Sequence, residues 1–211
     1  MKKHIKLCGI NNLDILDFIL SYNYQPDFLG FVFYESSPRH ISLDLAEKFN
    51  SLITKDIKKV AVTVNASSQY LSDIKACLDP DFFQLHGIED NNYITKNLNN
   101  EKIIKSVAVS DKFNLDPIKT TLDNVEYLLF DTKTREHGGS GQVFDWSLMK
   151  NYNAKLPYFL SGGLNIGNIL AATALNCNYF DLSSGIELQK GVKDRKKITE
   201  ILDFFKEINE Q

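Results

Sequence analysis

Eight short apolar runs, spread over the whole chain, limit what this sequence can fold into. They are Ile5–Cys8, Phe28–Phe33, Val60–Val64, Phe82–Leu85, Ile103–Val109, Tyr127–Phe130, Tyr158–Leu160 and Tyr179–Leu182. Each is rich in β-branched and aromatic residues, and each is continuous rather than alternating. That composition suits strands buried on both faces, as in a parallel sheet covered by helices. Segments of helical period lie between them. Leu45, Ala46, Phe49, Leu52 and Ile53 follow Ser42, a good N-cap. Ile166, Ile169, Leu170, Thr173 and Ala174 follow Asn165, and Ile198, Ile201, Leu202, Phe205 and Ile208 mark a final amphipathic helix. Pro117 interrupts the segment after Val109, so a short helix is expected there. Eight units in 211 residues leave about 26 residues each, enough for a strand, a helix and two short loops. Repeated βα alternation predicts an α/β chain, and within that class a single (β/α)8 TIM barrel of near-minimal size covering residues 1–211. An open doubly wound sheet is the alternative. No linker or low-complexity tract divides the chain.

Composition removes several classes of function. The net charge is −3, from 24 basic and 27 acidic residues, with no basic stripe. Neither nucleic acid nor an anionic membrane surface is expected as a partner. The apolar runs fall far short of the ~20 residues of a membrane helix. Met1-Lys2-Lys3-His4 leads straight into a strand-like run, with no apolar signal-peptide core behind it. Cys8, Cys77 and Cys177 are odd in number and form no C-x-x-C. The expectation is therefore a reducing, cytoplasmic compartment with neither a disulfide framework nor a zinc site. His4, His40, His86 and His137 show no ligand-like spacing, and no metal is expected. Cys77 follows Leu71 and Ile74 at helical spacing and is expected in the core. Cys177, between Asn176 and Asn178, reads as part of a helix-to-strand loop.

A barrel keeps its chemistry where strands end and βα loops begin. Cys8, in Lys6-Leu7-Cys8-Gly9-Ile10, ends the first run. Its thiol is either a small buried hydrophobe or a reactive group on the binding face. Lys6 shares the face of Cys8 but lies deeper, and is expected to be too poorly placed to help it. Arg39 follows Pro38 after the second run, where a planar fork can meet a carboxylate or phosphate; it can equally be a solvated loop arginine. Asn65 precedes Ala66-Ser67-Ser68, which reads as a helix cap. His86 ends Gln84-Leu85-His86-Gly87 and either lines a site or holds a loop. Asp131 ends a Tyr-Leu-Leu-Phe strand, a costly place for an acid unless it is solvated, paired or protonated, which makes it a candidate acid or base. Gly138, Gly139, Ser140 and Gly141 belong to a long loop, either a lid or a plain flexible connection. Gly162 and Gly163 after the seventh run, with Ser183, Ser184 and Gly185 after the eighth, let backbone amides approach a phosphate.

These motifs together resemble the phosphoribosylanthranilate isomerase family. The resemblance rests on Lys6-Leu7-Cys8-Gly9, Gly30-Phe31-Val32-Phe33 through Ser37-Pro38-Arg39, and Gln84-Leu85-His86-Gly87. It continues through Asp131-Thr132 with Gly138-Gly139-Ser140-Gly141, Ser161-Gly162-Gly163-Leu164, and Asp181 through Glu187 to Gly191-Val192-Lys193-Asp194. Two positions depart: Val60-Ala61-Val62-Thr63 stands where Val-Gly-Val-Phe is common, and Ile166 where proline is usual. The resemblance implies an aldose–ketose isomerase of tryptophan biosynthesis. Its reaction is the Amadori rearrangement of N-(5-phosphoribosyl)anthranilate to 1-(2-carboxyphenylamino)-1-deoxyribulose 5-phosphate. It implies Asp131 as acid and Cys8 as base, and Arg39 on the anthranilate carboxylate. The loops after strands 7 and 8 would hold the phosphate, with His86 and Asp181 lining the sugar site. It implies no metal and no organic cofactor, because the substrate nitrogen is the electron sink, and the expected unit is a monomer. A pentulose-phosphate epimerase or an indole-forming barrel would not need Cys8, Asp131 and Arg39 together. A bifunctional barrel serving histidine synthesis would carry an acid at strand 1, and a catalytically dead phosphate sensor would need neither Cys8 nor Asp131.

Overall fold

The computed structural model of the chain describes residues 1–54, 56–109, 125–132, 145–152 and 156–211. Strands β1 (His4–Cys8), β2 (Phe28–Val32), β3 (Lys58–Thr63), β4 (Phe82–Leu85), β5 (Ile103–Val109), β6 (Val125–Thr132), β7 (Tyr158–Leu160) and β8 (Tyr179–Leu182) fall on the eight apolar runs. They pair in parallel in chain order, and β8 returns to β1 to close the ring. The fold is the (β/α)8 barrel, not the open sheet. The helices are α1 (Leu13–Ser21), α2 (Leu43–Leu52), α3 (Ser68–Leu78), α4 (Asn91–Asn97), α5 (Ile169–Thr173) and α6 (Arg195–Glu210). Among the described residues no helix is long and apolar enough to cross a membrane.

The continuous apolar strands are explained by two separate cores. Odd and even positions of a strand face opposite sides. Ile5, Leu7, Leu29, Phe31, Ala61, Phe83, Leu128, Phe130, Phe180 and Leu182 pack outward with the helices, among them Leu16, Phe49, Ile74, Ile201 and Phe205. Phe28, Val32, Val60, Val62, Phe82, Ile104, Leu129 and Phe159 form the second core with Cys8, joined by Tyr127 and Tyr179. Caps set where helices begin. Ser42 accepts the Leu45 N–H, Ser67 the Tyr70 N–H, and Asp194 the N–H groups of Lys196 and Lys197, each satisfying donors that a helix start leaves open.

The helix expected directly after Asn165 starts later, at Ile169. Asn165 accepts the Gly167 N–H with its own side chain, and Asn168 accepts the Asn165 N–H. An asparagine turn thus occupies the first residues of the apolar period, the local competition that keeps asparagine out of helix interiors. Ile166 and Leu170 are consequently exposed, and only Ile169 and Ala172 of the helix reach the core. Cys77 is half-buried at the edge of the core rather than inside it, whereas Cys177 is buried in the loop before β8. The segment carrying Pro117 lies outside the described residues.

An aromatic plug fills the lower half of the barrel. The Phe28 ring lies 5.2 Å from Phe159, 5.9 Å from Phe82 and 6.3 Å from both Tyr127 and Tyr179, mostly edge to face. Edge-to-face rings gain energy beyond the area they bury. Phe28→Ala should cost about 3–5 kcal/mol in urea unfolding, the usual range for emptying a buried aromatic position. It should leave turnover of the remaining folded enzyme near normal, since the plug sits beneath the pocket.

Candidate active site

A pocket opens at the C-terminal ends of the strands. Cys8, Arg39, His86, Asp131, Asp181, Gly162, Gly163, Ser183 and Ser184 all line it, together with Gln84, Ser161 and the apolar Val32, Val62 and Val64. Nine of the residues singled out in the sequence are therefore brought together. Gly185 lies behind this lining. Gly138, Gly139, Ser140 and Gly141 lie outside the described residues, so the lid expectation stays where the sequence left it.

Cys8 stands over a buried ion pair that the sequence reading set aside. Lys6 is fully buried, and its ammonium donates to Asp181 Oδ1 at 2.7 Å. The other carboxylate oxygen of Asp181 accepts from Ser161 Oγ at 3.3 Å. Gly30 on β2 explains how thiol and ammonium fit. A Cβ there would stand 2.8 Å from Cys8 Sγ and 3.0 Å from Lys6 Nζ, so the missing side chain is the room both atoms use. The expectation that Lys6 lies too deep to serve Cys8 is thereby corrected: a lysine stem is long enough to climb from its Cα to the level of the thiol. Burial pushes the Cys8 thiol up; the positive charges of Lys6 and Lys193 oppose that rise, and Asp181 adds to it. At rest the residue is a thiol.

Asp131, the penultimate residue of β6, stands across the pocket. Its carboxyl is pushed up to about 6, first by burial and then by the negative charge of Asp181, while the Thr132 N–H, Lys6 and Arg39 pull it back. His86 Nε2 sits 3.7 Å from Asp131 Oδ2 and 3.2 Å from Ser106 Oγ. Burial lowers the imidazole to about 4, so at neutral pH His86 is uncharged and the two make no ion pair. The loop carrying His86 is tied down from below. Buried Glu89 accepts the Asn65 and Gly87 N–H groups and the Lys105 ammonium, and Lys105 also donates to the Gly87 carbonyl.

Arg39 is buried too, and one edge of its fork is already used. Nε and one terminal nitrogen donate to the two carboxylate oxygens of Glu187 at 2.7 and 2.8 Å. A ligand carboxylate must then meet the opposite, end-on edge of the guanidinium, which still offers a second pair of N–H groups. Glu187 opens a small hairpin that the sequence did not disclose, β9 (Glu187–Gln189) with β10 (Val192–Lys193). It also accepts the Lys193 ammonium at 2.8 Å and the Gly191 N–H at 3.2 Å. Lys193 in turn donates to the Ser183 carbonyl at 2.9 Å. One carboxylate therefore joins Arg39 to the loop after β8. Glu187 and Lys193 went unassigned from sequence; the one available signal was a charge in each half of a short hairpin around Gly191.

The loops after β7 and β8 touch each other. A Cβ on Gly185 would run into the Leu164 carbonyl oxygen, so only glycine permits that approach. Asn165 and Asn168 both donate side-chain N–H groups to the Gly163 carbonyl, at 2.9 and 3.0 Å. A single 3-10 turn, Ser184–Ile186, follows β8. The outcome is a stiff, small-residue rim beside Ser183 and Ser184, suited to an anion.

A closed parallel barrel with a carboxyl, a thiol and a rim of small residues at its C-terminal mouth is the architecture of a (β/α)8 enzyme. Comparison with known proteins narrows the class. The family model for N-(5'-phosphoribosyl)anthranilate isomerase matches residues 5–204. The N-(5'-phosphoribosyl)anthranilate isomerase of Petrotoga mobilis is 38% identical over 201 residues, covering 94% of this chain and 95% of the relative. The phosphoribosyl anthranilate isomerase structure from Thermotoga maritima superposes with a TM-score of 0.85 at 32% identity, covering 98% of this chain and all of the other. A phosphoribosyl anthranilate isomerase in complex with reduced 1-(o-carboxyphenylamino)-1-deoxyribulose 5-phosphate superposes with a TM-score of 0.82 at 29% identity, again over 98% of this chain. The chain belongs to the N-(5'-phosphoribosyl)anthranilate isomerase family, the isomerases of tryptophan biosynthesis.

The raised Asp131 carboxyl has a consequence for stability. Its folded-state value, about 6, lies above the unfolded value near 3.9, so the folded protein holds that proton more tightly. Stability is lost as pH rises from about 4 to about 6 and stays lost above. Asp131→Asn keeps an oxygen for the Thr132 N–H and removes the ionisation. It should make the protein more stable at pH 7.5 by about 2–3 kcal/mol, with the gain fading to nothing near pH 4. Urea unfolding across that range measures it.

Proposed function

We propose that Asp131 and Cys8 carry the isomerisation in this chain as acid and base. Asp131 gives its proton to the furanose ring oxygen of N-(5-phosphoribosyl)anthranilate. The C–O bond breaks, and the anthranilate nitrogen supplies the electron pair that forms the cationic Schiff base. Cys8, once its thiol proton has passed to solvent, then takes the proton from the neighbouring carbon as the thiolate. The C–H electrons close a carbon–carbon double bond, the Schiff base relaxes to an enolamine, and tautomerisation delivers the ketone. The observation that carries this reading is the pairing in one pocket of a thiol on β1 with a carboxyl on β6 whose burial keeps it partly protonated. At pH 7 an acid of about 6 is protonated roughly one part in ten, against about one in a thousand for an ordinary aspartic acid.

The remaining groups hold the substrate. The end-on edge of Arg39 takes the anthranilate carboxylate. Gly162, Gly163, Ser183 and Ser184 take the phosphate, with Gly185 allowing their loops to meet. Asp181 and neutral His86 line the sugar. Electron withdrawal by the substrate's own nitrogen makes a metal or organic cofactor unnecessary to the scheme. All these groups come from one chain, so a monomer suffices.

Cys8→Ala should lower kcat by at least ~10²-fold, the low end of what a positioned base contributes. Cys8→Ser should be nearly as poor, because a hydroxyl is a far weaker base than a thiolate. Asp131→Asn should lose most of kcat with little change in binding of a product analogue. Wild-type turnover in Cys8→Ser or Asp131→Asn would remove that residue from the scheme. For Arg39→Ala, KM should rise more than kcat falls, as expected for a contact made equally in ground and transition states. An analogue lacking the aromatic carboxylate should lose little further on that variant, and fully additive losses would separate Arg39 from the carboxylate.

A further inference from the structure

Burial alone works against the proposed chemistry. It pushes the thiol and the carboxyl in the same direction, toward their protonated forms. That helps an acid and hinders a base. Something must separate the two, and Lys6 and Asp181 are charged groups that act on both.

The pair is oriented around the ring. Lys6 Nζ and Cys8 Sγ lie within 3.0 Å of one point on the β2 side, the Cβ position that Gly30 leaves empty. The two atoms are therefore within about 6 Å, the range over which an opposite charge acts strongly on a titrating group. Asp181 takes Lys6 on Oδ1 and turns Oδ2 to Ser161 just beyond β7, the neighbour of the strand that carries Asp131. The positive end thus lies under the thiol and the negative end toward the carboxyl. We infer that the buried Lys6–Asp181 pair is a positioning device that sets Cys8 and Asp131 apart as base and acid, the ammonium favouring the thiolate and the carboxylate favouring the protonated acid. The inference rests on the roles proposed above for Cys8 and Asp131.

The charged surroundings agree with that orientation. Lys6 on β1, Asp181 on β8, Lys193 on β10, Arg39 after β2 and Asp131 on β6 all face the thiol, and His86 opposite is uncharged. Of these, Lys6 acts most strongly on Cys8, and it favours the thiolate. Among the charges acting on Asp131, Asp181 is the strongest, and it favours the protonated acid.

The test is the pH dependence of iodoacetamide alkylation at Cys8, in a Cys77→Ser background that removes the half-buried thiol. Lys6→Met should slow alkylation at pH 8 by about tenfold or more, an upward shift of at least about one pH unit. Asp181→Asn should speed it several-fold. Two halves of one ion pair moving a thiol in opposite directions is a signature that a purely structural pair would not give. Lys6→Met leaves Asp181 buried without its cation and can unfold the protein. The double variant Lys6→Met/Asp181→Asn removes both charges at constant shape; it should fold and still alkylate more slowly than wild type, since Lys6 is the stronger influence. Equal rates in wild type and double variant, or shifts of the same sign in both single variants, would overturn the inference. Alkylation reads the thiolate whether or not it serves as base. Full turnover in Cys8→Ser would therefore refute the base assignment while leaving this coupling measurable.

Discussion

The ring closes between β8 and β1, and the register of that seam sets Lys6 directly beside Asp181. An ammonium with no solvent exposure is an expensive thing to enclose. Its desolvation costs several kcal/mol, and the carboxylate at 2.7 Å is the partner that offsets it. An apolar pair of the same shape would hold the seam at least as well. The pair therefore makes sense through what stands above it. Gly30 gives up a side chain so that the ammonium and the Cys8 thiol can share one space, and the position of the thiol follows from that sacrifice.

A second buried carboxylate organises the rim. Glu187 holds Arg39, Lys193 and the Gly191 amide, and Lys193 reaches on to the Ser183 carbonyl. Side chains this long lose much rotamer freedom when fixed. Fixing them through one shared partner means that the freedom is lost on folding and not again on binding. The groups proposed for the two charged ends of the substrate are connected through a single side chain, so a change at Glu187 reaches both. Arg39 and Lys193 are both cations, and the carboxylate between them is what allows the two to stand near the same pocket.

The sequence announced the ring clearly because every strand had to satisfy two apolar faces. That requirement writes itself as continuous runs, and the observed strands fall on all eight. Boundaries were harder. Ile166 and Leu170 continue an apolar period that Asn165 and Asn168 interrupt by binding their own backbone, a competition that periodicity does not register. Pocket residues were legible where a polar side chain ended an apolar run, as with Cys8 and Asp131, whereas Asp181, inside the run Tyr179–Leu182, entered only through the resemblance. Lys6 was misjudged because Cα position was read as depth, whereas a lysine places its charge well above its own Cα. Glu187 was missed because its partners, Arg39 and Lys193, lie 148 positions before and 6 after it, and only the folded ring brings them together. Thr63, one of the two departures from the family pattern, is fully buried with its hydroxyl unpartnered.

Among the described residues, the titrating groups around the pocket sort themselves by partnership. Lys6 and Asp181 are committed to each other. Arg39 and Lys193 are committed to Glu187, whose carboxyl they hold below its ordinary range. His86 is held neutral by burial and would need a pH near 4 to gain a proton, so it can accept or donate a hydrogen bond but exchanges no proton usefully at neutral pH. Cys8 and Asp131 differ from all of these. Each is buried, neither has a full ionic partner of its own, and each sits close enough to the Lys6–Asp181 pair to be biased by it. A group clamped in an ion pair resists a change of charge, whereas a group merely biased by one can change charge when substrate arrives. Proton transfer needs the second kind, and among the described residues the partnerships in this pocket leave Cys8 and Asp131, the two groups proposed above as base and acid.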